Sequence, residues 1–304
     1  MPFHVIIGAG ATALATARLL AEDGEQVRLV SRRGTSTPHE RVEPVALDAT
    51  DADALTEICR GAATVFNCAM PAYHTWPLAL PPLFRAILSA AERGGARYVM
   101  LGNLYGYGPV RGPVTEDLPL LATGPKGVVR AQMWQEALAA HEAGRVRAAE
   151  VRAGQFLGAG AVSSFTLTVA PAVLAGRLAL TPAALDTTTG YTAVGDAARA
   201  LVGVARAEDA FGQAWHAPAG NATVRELATL LAKLASAPAP QLETLTERDT
   251  ALLSLTSPLW AEFEETAHMS HQDFVVDSRR IQRRFGLAPT PVEEVLAAPR
   301  SGAS

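Results

Sequence analysis

Short apolar runs alternate with amphipathic stretches through the first half of the chain. The runs are typical of buried strands, and the stretches between them have the spacing of helices with one apolar face. Predicted strands are Phe3–Ile7, Gln26–Val30, Thr64–Asn67, Ala96–Leu101 and Val146–Arg152, and predicted helices are Thr12–Glu22, Asp51–Arg60, Pro77–Glu92 and Lys126–Glu142. Because strands that alternate with helices pair in parallel through right-handed crossovers, this pattern predicts an α/β fold with a Rossmann-type doubly wound parallel sheet.

The regular alternation ends near residue 157, and only three further helices are predicted, at 194–207, 223–235 and 278–285. We therefore expect residues 1–157 to form the nucleotide-binding sheet domain. Residues 158–304 are expected to form a smaller C-terminal lobe that caps the substrate site, with residues 190–208 returning to the sheet domain. Such a lobe would cover the C-terminal edge of the strands, where ligands bind in open α/β sheets.

Composition narrows the class of partner. The chain has 304 residues, 49% of them hydrophobic, and a formal net charge of −4. The charge gives no reason to expect a nucleic-acid partner, and the long uncharged stretch at 153–176 contains too many polar residues for a membrane span. Two cysteines are too few for a secreted disulfide framework. We expect a cytoplasmic protein that binds a small molecule, with a homo-oligomer left open.

A glycine-rich turn follows the first predicted strand and opens the first predicted helix. It has the form G-x-G-x-x-A, with Gly8, Gly10 and Ala13 at the fixed positions and Ala11 and Thr12 between them. In this context the first glycine permits a tight turn, the second lets the backbone approach a pyrophosphate, and the small third residue lets helix and strand pack closely. The helix N-terminus adds free amide donors. The turn predicts dinucleotide binding.

The second strand ends at Ser31, Arg32 and Arg33, with no carboxylate to hold a ribose 2′-hydroxyl. Two guanidinium groups favour a 2′-phosphate instead, so the expected cofactor is NADP, with NAD the less favoured alternative. The alternative interpretation is that both arginines are solvated loop residues with no role in cofactor binding. Further candidates for cofactor contacts are Asp48 and Ala49, near the adenine, and Asn67 and Ala69, near the middle of the cofactor.

These features together resemble the extended short-chain dehydrogenase/reductase family, in particular its epimerase/dehydratase-like and NmrA-like members. The segment from Gly102 to Gly108 is similar to the family's S-S-x-x-V-Y-G motif, which adds Gly102 to the expected cofactor contacts. Residues 151–158 are similar to its R-x-x-N-x-x-G segment, and Tyr191–Asp196 to its Y-x-x-V-x-D segment.

The same resemblance exposes a departure at the expected catalytic positions. The family uses a Ser or Thr, a Tyr, and a Lys four residues after the Tyr. Matching the motifs puts Asn103, Val128 and Gln132 at these positions. No Y-x-x-x-K occurs anywhere in the chain, since Lys126 and Lys233 are the only lysines and neither follows a tyrosine by four residues. Thr189 stands where sugar-nucleotide members commonly carry an Arg, which argues against a nucleotide-sugar substrate.

The remaining protic groups supply the candidates for catalysis. Tyr105 could protonate an oxyanion while Asn103 donates a hydrogen bond, and His74 and Lys126 are competing acids. Each has a structural alternative: aromatic packing for Tyr105, a solvated loop for His74 and an exposed helix start for Lys126. Expected substrate contacts are Tyr73, Trp76, Tyr107, Gln155 and Phe156. No metal site is expected, because His268 and His271 lack further ligands.

Two functions remain open at this point. One is an NAD(P)H-dependent oxidoreductase or epimerase/dehydratase-like enzyme with a non-standard acid/base set and a small, fairly apolar substrate. The other is a non-catalytic NADP(H)-binding redox sensor or regulatory protein resembling NmrA, which would tolerate the loss of all three catalytic positions. Turnover of NADPH with a carbonyl substrate would separate them.

Overall fold

The computed structural model describes residues 3–298, apart from the side chain of Pro258. The strands are β1 Phe3–Ile7, β2 Gln26–Ser31, β3 Val42–Ala46, β4 Thr64–Asn67, β5 Arg97–Asn103, β6 Ala148–Ala153, β7 Gln155–Leu157, β8 Ala179–Thr181, β9 Thr189–Ala193, β10 Ala214–His216, β11 Gly220–Ala222 and β12 Leu242–Thr244. The helices are α1 Ala11–Glu22, α2 Ala52–Cys59, α3 Trp76–Gly94, α4 Pro125–Glu142, α5 Ala170–Leu174, α6 Val194–Arg206, α7 Val224–Leu234, α8 Glu247–Ser254, α9 Arg279–Phe285 and α10 Val292–Ala297.

Seven parallel strands form the central sheet in the order β10-β6-β5-β4-β1-β2-β3. The chain builds outward from β1 to β3 on one side and then from β4 to β6 on the other. The order therefore reverses between β1 and β4, and this switch leaves a crevice at the carboxyl ends of these two strands. The predicted Rossmann-type doubly wound fold is confirmed.

Buried apolar side chains fill both faces of the sheet. Helices α2, α3 and α4 cover one face, around Leu55, Phe84 and Ala137. Helices α1 and α6 cover the other, around Leu20 and Leu201. Burial on both faces explains why these strands have continuous apolar runs, since neither side of a doubly wound sheet faces water.

Every predicted strand and helix is present within two residues of its expected bounds. Two strands of the main sheet were not predicted. Strand β3 contains Glu43 and Pro44 and lies at the edge, where a proline costs no ladder hydrogen bond. Strand β10 has only three residues and forms the opposite edge by pairing with β6, so its extended conformation depends on a distant partner.

The C-terminal half divides its elements between the sheet and a smaller lobe. Helix α6 packs on α1, and α9 joins the same face of the sheet through Ile281. Strand β10 extends the sheet by pairing with β6. The lobe contains a three-stranded sheet, β11-β9-β7, and a two-stranded sheet, β12-β8. Helices α5, α7 and α10 pack around its own apolar cluster. Within residues 3–298, no helix combines the length and apolarity that a membrane crossing needs.

Candidate active site

A cavity of about 440 Å³ lies at the carboxyl ends of β1, β4, β5 and β6. The lobe closes it from above with two segments: residues 160–167, and a segment that we name the cover segment, residues 259–270. The glycine turn forms its floor. Sheet-domain residues in its wall are Gly10, Ala11, Thr12, Ala13, Cys68, Met70, Pro71, Tyr73, Trp76, Leu101, Gly102, Asn103, Tyr105 and Arg130.

The glycine turn has the geometry that a pyrophosphate requires. Gly8 has φ +111°, and a Cβ there would lie 2.7 Å from the carbonyl oxygen of Cys68, so only glycine fits. A Cβ on Gly10 would meet nothing within 4 Å, and Gly10 faces the cavity. No side chain caps the N-terminus of α1. Free amides at a helix start beside open space can hold a phosphate group, so these residues fit the dinucleotide.

The loop after β2 carries the groups predicted for the adenosine end. Arg32 and Arg33 are exposed, and neither forms an ion pair with any residue in the described range. Asp48 is held by Thr50, whose backbone N and Oγ1 both donate to its Oδ1, at 3.0 and 2.8 Å. The guanidinium of Arg32 is close enough to contribute to the lowered pKa of Asp48, after the hydrogen bonds from Thr50. The loop after β2 therefore presents two exposed guanidinium groups.

Asn67 is buried and engaged by the protein itself. Its Nδ2 donates to the hydroxyl of Tyr98 at 2.8 Å, and its Oδ1 accepts from the backbone N of Ala69 at 3.2 Å. Its side chain therefore shapes the turn after β4, and neither Asn67 nor Ala69 lines the cavity. Asn103 does line it. Its Oδ1 accepts from the backbone N of Tyr105 at 3.2 Å, which leaves the Nδ2 donors available.

Three aromatic side chains and one arginine form the reactive wall of the cavity. We name Tyr73, Trp76, Tyr105 and Arg130 the cavity cluster. The hydroxyl of Tyr73 donates to that of Tyr105 at 3.2 Å, so the proton of Tyr105 remains available to a ligand. The indole of Trp76 contacts both Tyr105 and Arg130: its ring centroid lies 5.9 Å from that of Tyr105, and the Arg130 guanidinium lies 5.1 Å from the Trp76 ring.

Burial sets the ionisation of the two phenols. Desolvation raises the pKa of Tyr105, although the hydrogen bond from Tyr73 and the charges of Arg130 and Lys126 oppose the rise. Desolvation also raises the pKa of Tyr73, and the neighbouring phenol of Tyr105 adds to that rise. Both groups are therefore neutral at physiological pH and can donate protons.

Helix α4 turns a different face to the cavity from the one that the sequence comparison implied. Gln132 is exposed and Val128 does not line the cavity. Lys126 and Arg130, also four residues apart, are 3% and 4% exposed, and they lie against the rings of Tyr73 and Trp76 respectively. Since side chains four apart share one helix face, the helix turns Lys126 and Arg130 towards the site, rather than Val128 and Gln132.

Lys126 is not an exposed helix-start lysine. Its Nζ lies 4.9 Å from the Tyr73 ring centroid and 2.9 Å from a carboxylate oxygen of Glu265, and it also pairs with Glu262. Burial lowers the pKa of Lys126, but its hydrogen bonds to Glu262 and Glu265 more than offset this and leave the pKa raised. The ammonium is thus neutralised by the cover segment and does not reach the cavity wall.

Glu265 also completes helix α4. Gly124 occupies the N-cap position and has no side chain to offer. The Oε1 of Glu265 accepts from the backbone N of Lys126 at 2.7 Å and of Gly127 at 3.0 Å. A carboxylate at a helix N-terminus satisfies free amides and interacts favourably with the helix dipole. The cover segment is therefore attached to the helix that carries Arg130.

Two further predictions about the site were wrong. His74 is exposed and does not line the cavity, because it lies on a short 3-10 helix whose neighbouring residue Tyr73 takes the inward position. Tyr107 is fully buried but does not line the cavity, although Tyr105, two residues earlier on the same 3-10 helix Tyr105–Tyr107, does. The predicted contacts Trp76, Gln155 and Phe156 do line the cavity.

Tyr107 belongs to what we name the closed network: Tyr107, Glu150, Arg152 and His216. Its hydroxyl bonds to His216 Nε2 at 2.7 Å and accepts from Arg152 Nη1 at 2.6 Å. Arg152 Nε donates to Glu150 at 2.7 Å. Burial lowers the pKa of His216 and raises that of Tyr107 to about 12, so both are neutral. The network holds β6, β10 and the Tyr107 turn together.

The residues that sequence reasoning missed are Arg130 and the two glutamates of the cover segment. Arg130 had a recoverable signal, since it follows Lys126 by four residues on a predicted helix. Glu262 and Glu265 had none, because they belong to a segment without a helical or strand period. Across residues 3–298, no cluster of His, Cys, Asp and Glu side chains is suited to a metal ion.

Comparison with known proteins identifies the family and the fold. Residues 5–216 match the NAD dependent epimerase/dehydratase family. No curated protein sequence matches the chain. Similar solved structures include the epimerase Mth375 from Methanothermobacter thermautotrophicus, 17% identical with a TM-score of 0.80 over 97% of this chain and 90% of that one.

Two further structures show the same fold. The UDP-N-acetylglucosamine 4-epimerase from Methanobrevibacter ruminantium M1 is 16% identical, with a TM-score of 0.79. The UDP-glucuronic acid 4-epimerase from Bacillus cereus, in complex with UDP-glucuronic acid and NAD, is 15% identical, with a TM-score of 0.78. Each alignment covers 97% of this chain and 96% of the other.

Proposed function

The chain belongs to the NAD dependent epimerase/dehydratase family, and from this premise we propose that it is an NADP(H)-dependent oxidoreductase or epimerase-like enzyme acting on a small, fairly apolar substrate. One observation carries the proposal: a nucleotide-binding glycine turn and a neutral phenol with a free proton, that of Tyr105, open onto the same cavity.

Tyr105 is the proposed general acid. The nicotinamide, when bound, would supply or accept the hydride. When a carbonyl is reduced, Tyr105 donates its proton to the developing alkoxide, and Asn103 Nδ2 donates a hydrogen bond to the same oxygen. The donor hydrogen bond from Tyr73 and the positive charge of Arg130 both stabilise the phenolate that remains. In the oxidative direction the phenolate takes the proton back.

The preference for NADP rests on the loop after β2. This loop offers Ser31, Arg32 and Arg33, and both guanidinium groups are exposed and free of carboxylate partners within the described residues. A 2′-phosphate would give them a partner, whereas a ribose 2′-hydroxyl would leave them without one.

The composition of the cavity supports a small, fairly apolar substrate. Aromatic and aliphatic side chains such as Trp76, Phe156, Leu167 and Phe263 make up most of its wall. Thr189, where a diphosphate-binding arginine was expected in sugar-nucleotide enzymes, is buried and donates through Oγ1 to the carbonyl oxygen of Met269 at 3.0 Å. A nucleotide diphosphate would therefore find no cation at this position.

NADPH oxidation with a panel of aldehydes, ketones and enones tests the proposal. The nucleotide-sugar arm incubates UDP-glucose or UDP-glucuronic acid with NADP⁺ or NAD⁺ and separates the products by chromatography, because these sugars have no carbonyl group that NADPH could reduce. We expect turnover of at least one small carbonyl compound and none of the UDP-sugars. Gly10→Val is the control, because its side chain would fill the space at the turn and abolish NADPH binding in calorimetry. NADPH binding without turnover of any compound would favour the sensor alternative, and turnover of a UDP-sugar would refute the substrate class.

A further inference from the structure

Among the residues that the structure describes, no carboxylate is in contact with the buried guanidinium of Arg130. It is 4% exposed and lines the cavity, and its Nε has no hydrogen-bond partner among the described residues. Its other nitrogens make only long contacts: Nη1 lies 3.5 Å from the carbonyl oxygen of Leu101 and Nη2 lies 4.0 Å from the sulfur of Met70. These distances are at or beyond the range of effective hydrogen bonds.

The surrounding charges compensate only in part for this guanidinium. Glu150 is the carboxylate whose charge acts on Arg130 without touching it, and one oxygen of Glu150 is bound by Arg152 in the closed network. Lys126, the other cation near Tyr105, is already paired with Glu262 and Glu265. Burial of an unpaired charge is costly, and buried charges are as a rule paired. Desolvation accordingly lowers the pKa of Arg130. An anion that enters the cavity would therefore supply Arg130 with the counter-charge that it lacks in direct contact.

The position of Arg130 indicates which anion this is. The phosphates of a dinucleotide would lie at the amides of α1 and at the loop after β2. Arg130 instead shares its wall with Trp76 and Tyr105, the proposed site of proton transfer. An anionic group held there would belong to the molecule that presents its oxygen to Tyr105.

We propose that Arg130 is the binding subsite for a carboxylate of the substrate, so that the enzyme acts on a small apolar carboxylic acid bearing a carbonyl or hydroxyl group. This rests on the proposed function. The planar guanidinium would hold the carboxylate in a charge-assisted pair, and the adjacent Trp76 face would pack on the apolar part. Arg130 thereby selects acids over the corresponding neutral compounds.

Calorimetry on the NADPH-loaded protein tests the subsite with two matched pairs of probes, phenylacetate against phenethyl alcohol and isovalerate against isoamyl alcohol. We expect at least one acid to bind roughly tenfold to a hundredfold more tightly than its alcohol. Arg130→Met should remove this preference, and Arg130→Lys should restore part of it. Arg85→Met, on the exposed side of α3 where Arg85 pairs with Glu136, is the matched control and should keep the preference.

A second measurement separates a binding role from a structural one. In the ligand-free protein, Arg130→Met should raise the melting temperature, because it removes an uncompensated buried charge, whereas loss of a structural arginine would lower it. Equal binding of acid and alcohol, failure of both acids to bind, or a lower melting temperature for Arg130→Met overturns the proposal.

A phosphate of the nucleotide is the remaining candidate for the anion that Arg130 binds. Titrations with NADPH test this alternative. We expect Arg130→Met to change NADPH affinity by less than about threefold, below the effect of a charge-assisted bond. A larger loss, or acid binding only in the absence of NADPH, assigns the guanidinium to the nucleotide and overturns the substrate subsite. If the unmutated protein does not bind NADPH at all, the proposed function fails instead.

Discussion

Two groups of buried polar side chains lie on either side of the 3-10 helix Tyr105–Tyr107, and they differ in how far their hydrogen bonds are satisfied. In the closed network, Tyr107, Arg152 and His216 all have partners at 2.6–2.9 Å. In the cavity cluster, Arg130 makes no hydrogen bond shorter than 3.5 Å to any residue from 3 to 298, and the proton of Tyr105 is not donated to a protein group there. Satisfied buried groups hold a fold together, whereas unsatisfied groups that face a cavity are available to a ligand.

The largest expected effect comes from substituting each of the two tyrosines of that 3-10 helix separately by phenylalanine. Tyr105→Phe keeps the ring and deletes the hydroxyl, and it should lower turnover by about 10²–10⁴ while NADPH affinity is kept. Tyr107→Phe should leave turnover nearly unchanged but lower the free energy of unfolding by about 1–3 kcal/mol, because Arg152 and His216 lose a buried partner. Steady-state kinetics and urea denaturation measure the two effects.

The comparison would be contradicted if Tyr107→Phe lowered turnover and Tyr105→Phe lowered only the free energy of unfolding. Turnover within twofold of the parent for Tyr105→Phe would exclude it as the acid. Tyr73→Phe is then the next variant to measure, since its hydroxyl is the one bonded to Tyr105.

Arg152→Met sharpens the comparison on the structural side. The change leaves Glu150, which is 2% exposed, without its ion-pair partner. Removal of one member of a buried pair costs about 3–5 kcal/mol, so the urea midpoint should fall markedly, in the opposite direction to Arg130→Met. If Arg152→Met lowered the free energy of unfolding by less than about 1 kcal/mol, Arg152 would contribute no more to stability than Arg130. The distinction between the closed network and the cavity cluster would then be lost.

Arg32→Ala extends the comparison of satisfied and unsatisfied polar groups to the loop after β2, where the charge is exposed rather than buried. If Arg32 holds the 2′-phosphate, NADPH should bind about tenfold to a hundredfold more tightly than NADH in the unmutated protein. The variant should lose most of this difference. Titrations of both nucleotides measure it, and equal affinities in the unmutated protein would contradict the NADP assignment.

The smallest expected effect is that of pH in the neutral range. The general acid must be protonated for carbonyl reduction, and burial raises the pKa of Tyr105 above the ordinary tyrosine value of about 10. The rate constant for reduction should therefore stay constant through neutral pH and fall only in the alkaline range. A histidine donor would instead lose activity as the pH rises through neutrality, and such a profile would exclude the phenol.

The features that could be predicted from sequence are those whose residues are adjacent along the chain. The glycine turn at Gly8–Ala13 was predictable because strand, turn and helix follow one another. The wall of the cavity was only partly predictable, because it joins α4 to a cover segment more than a hundred residues later. Val128 and Gln132 were aligned by motif alone, and only the helix face, which depends on packing, identifies Lys126 and Arg130 instead.

The capping of α4 by Glu265 makes two backbone protons into reporters of access to the cavity. The amides of Lys126 and Gly127 bond to a side chain of the cover segment, at 2.7 and 3.0 Å. A bonded amide exchanges with solvent only when its acceptor withdraws. Withdrawal of Glu265 also breaks one of the two ion pairs of Lys126, so hydrogen–deuterium exchange at these two positions reports the opening equilibrium of the chamber in solution, before any substrate is known.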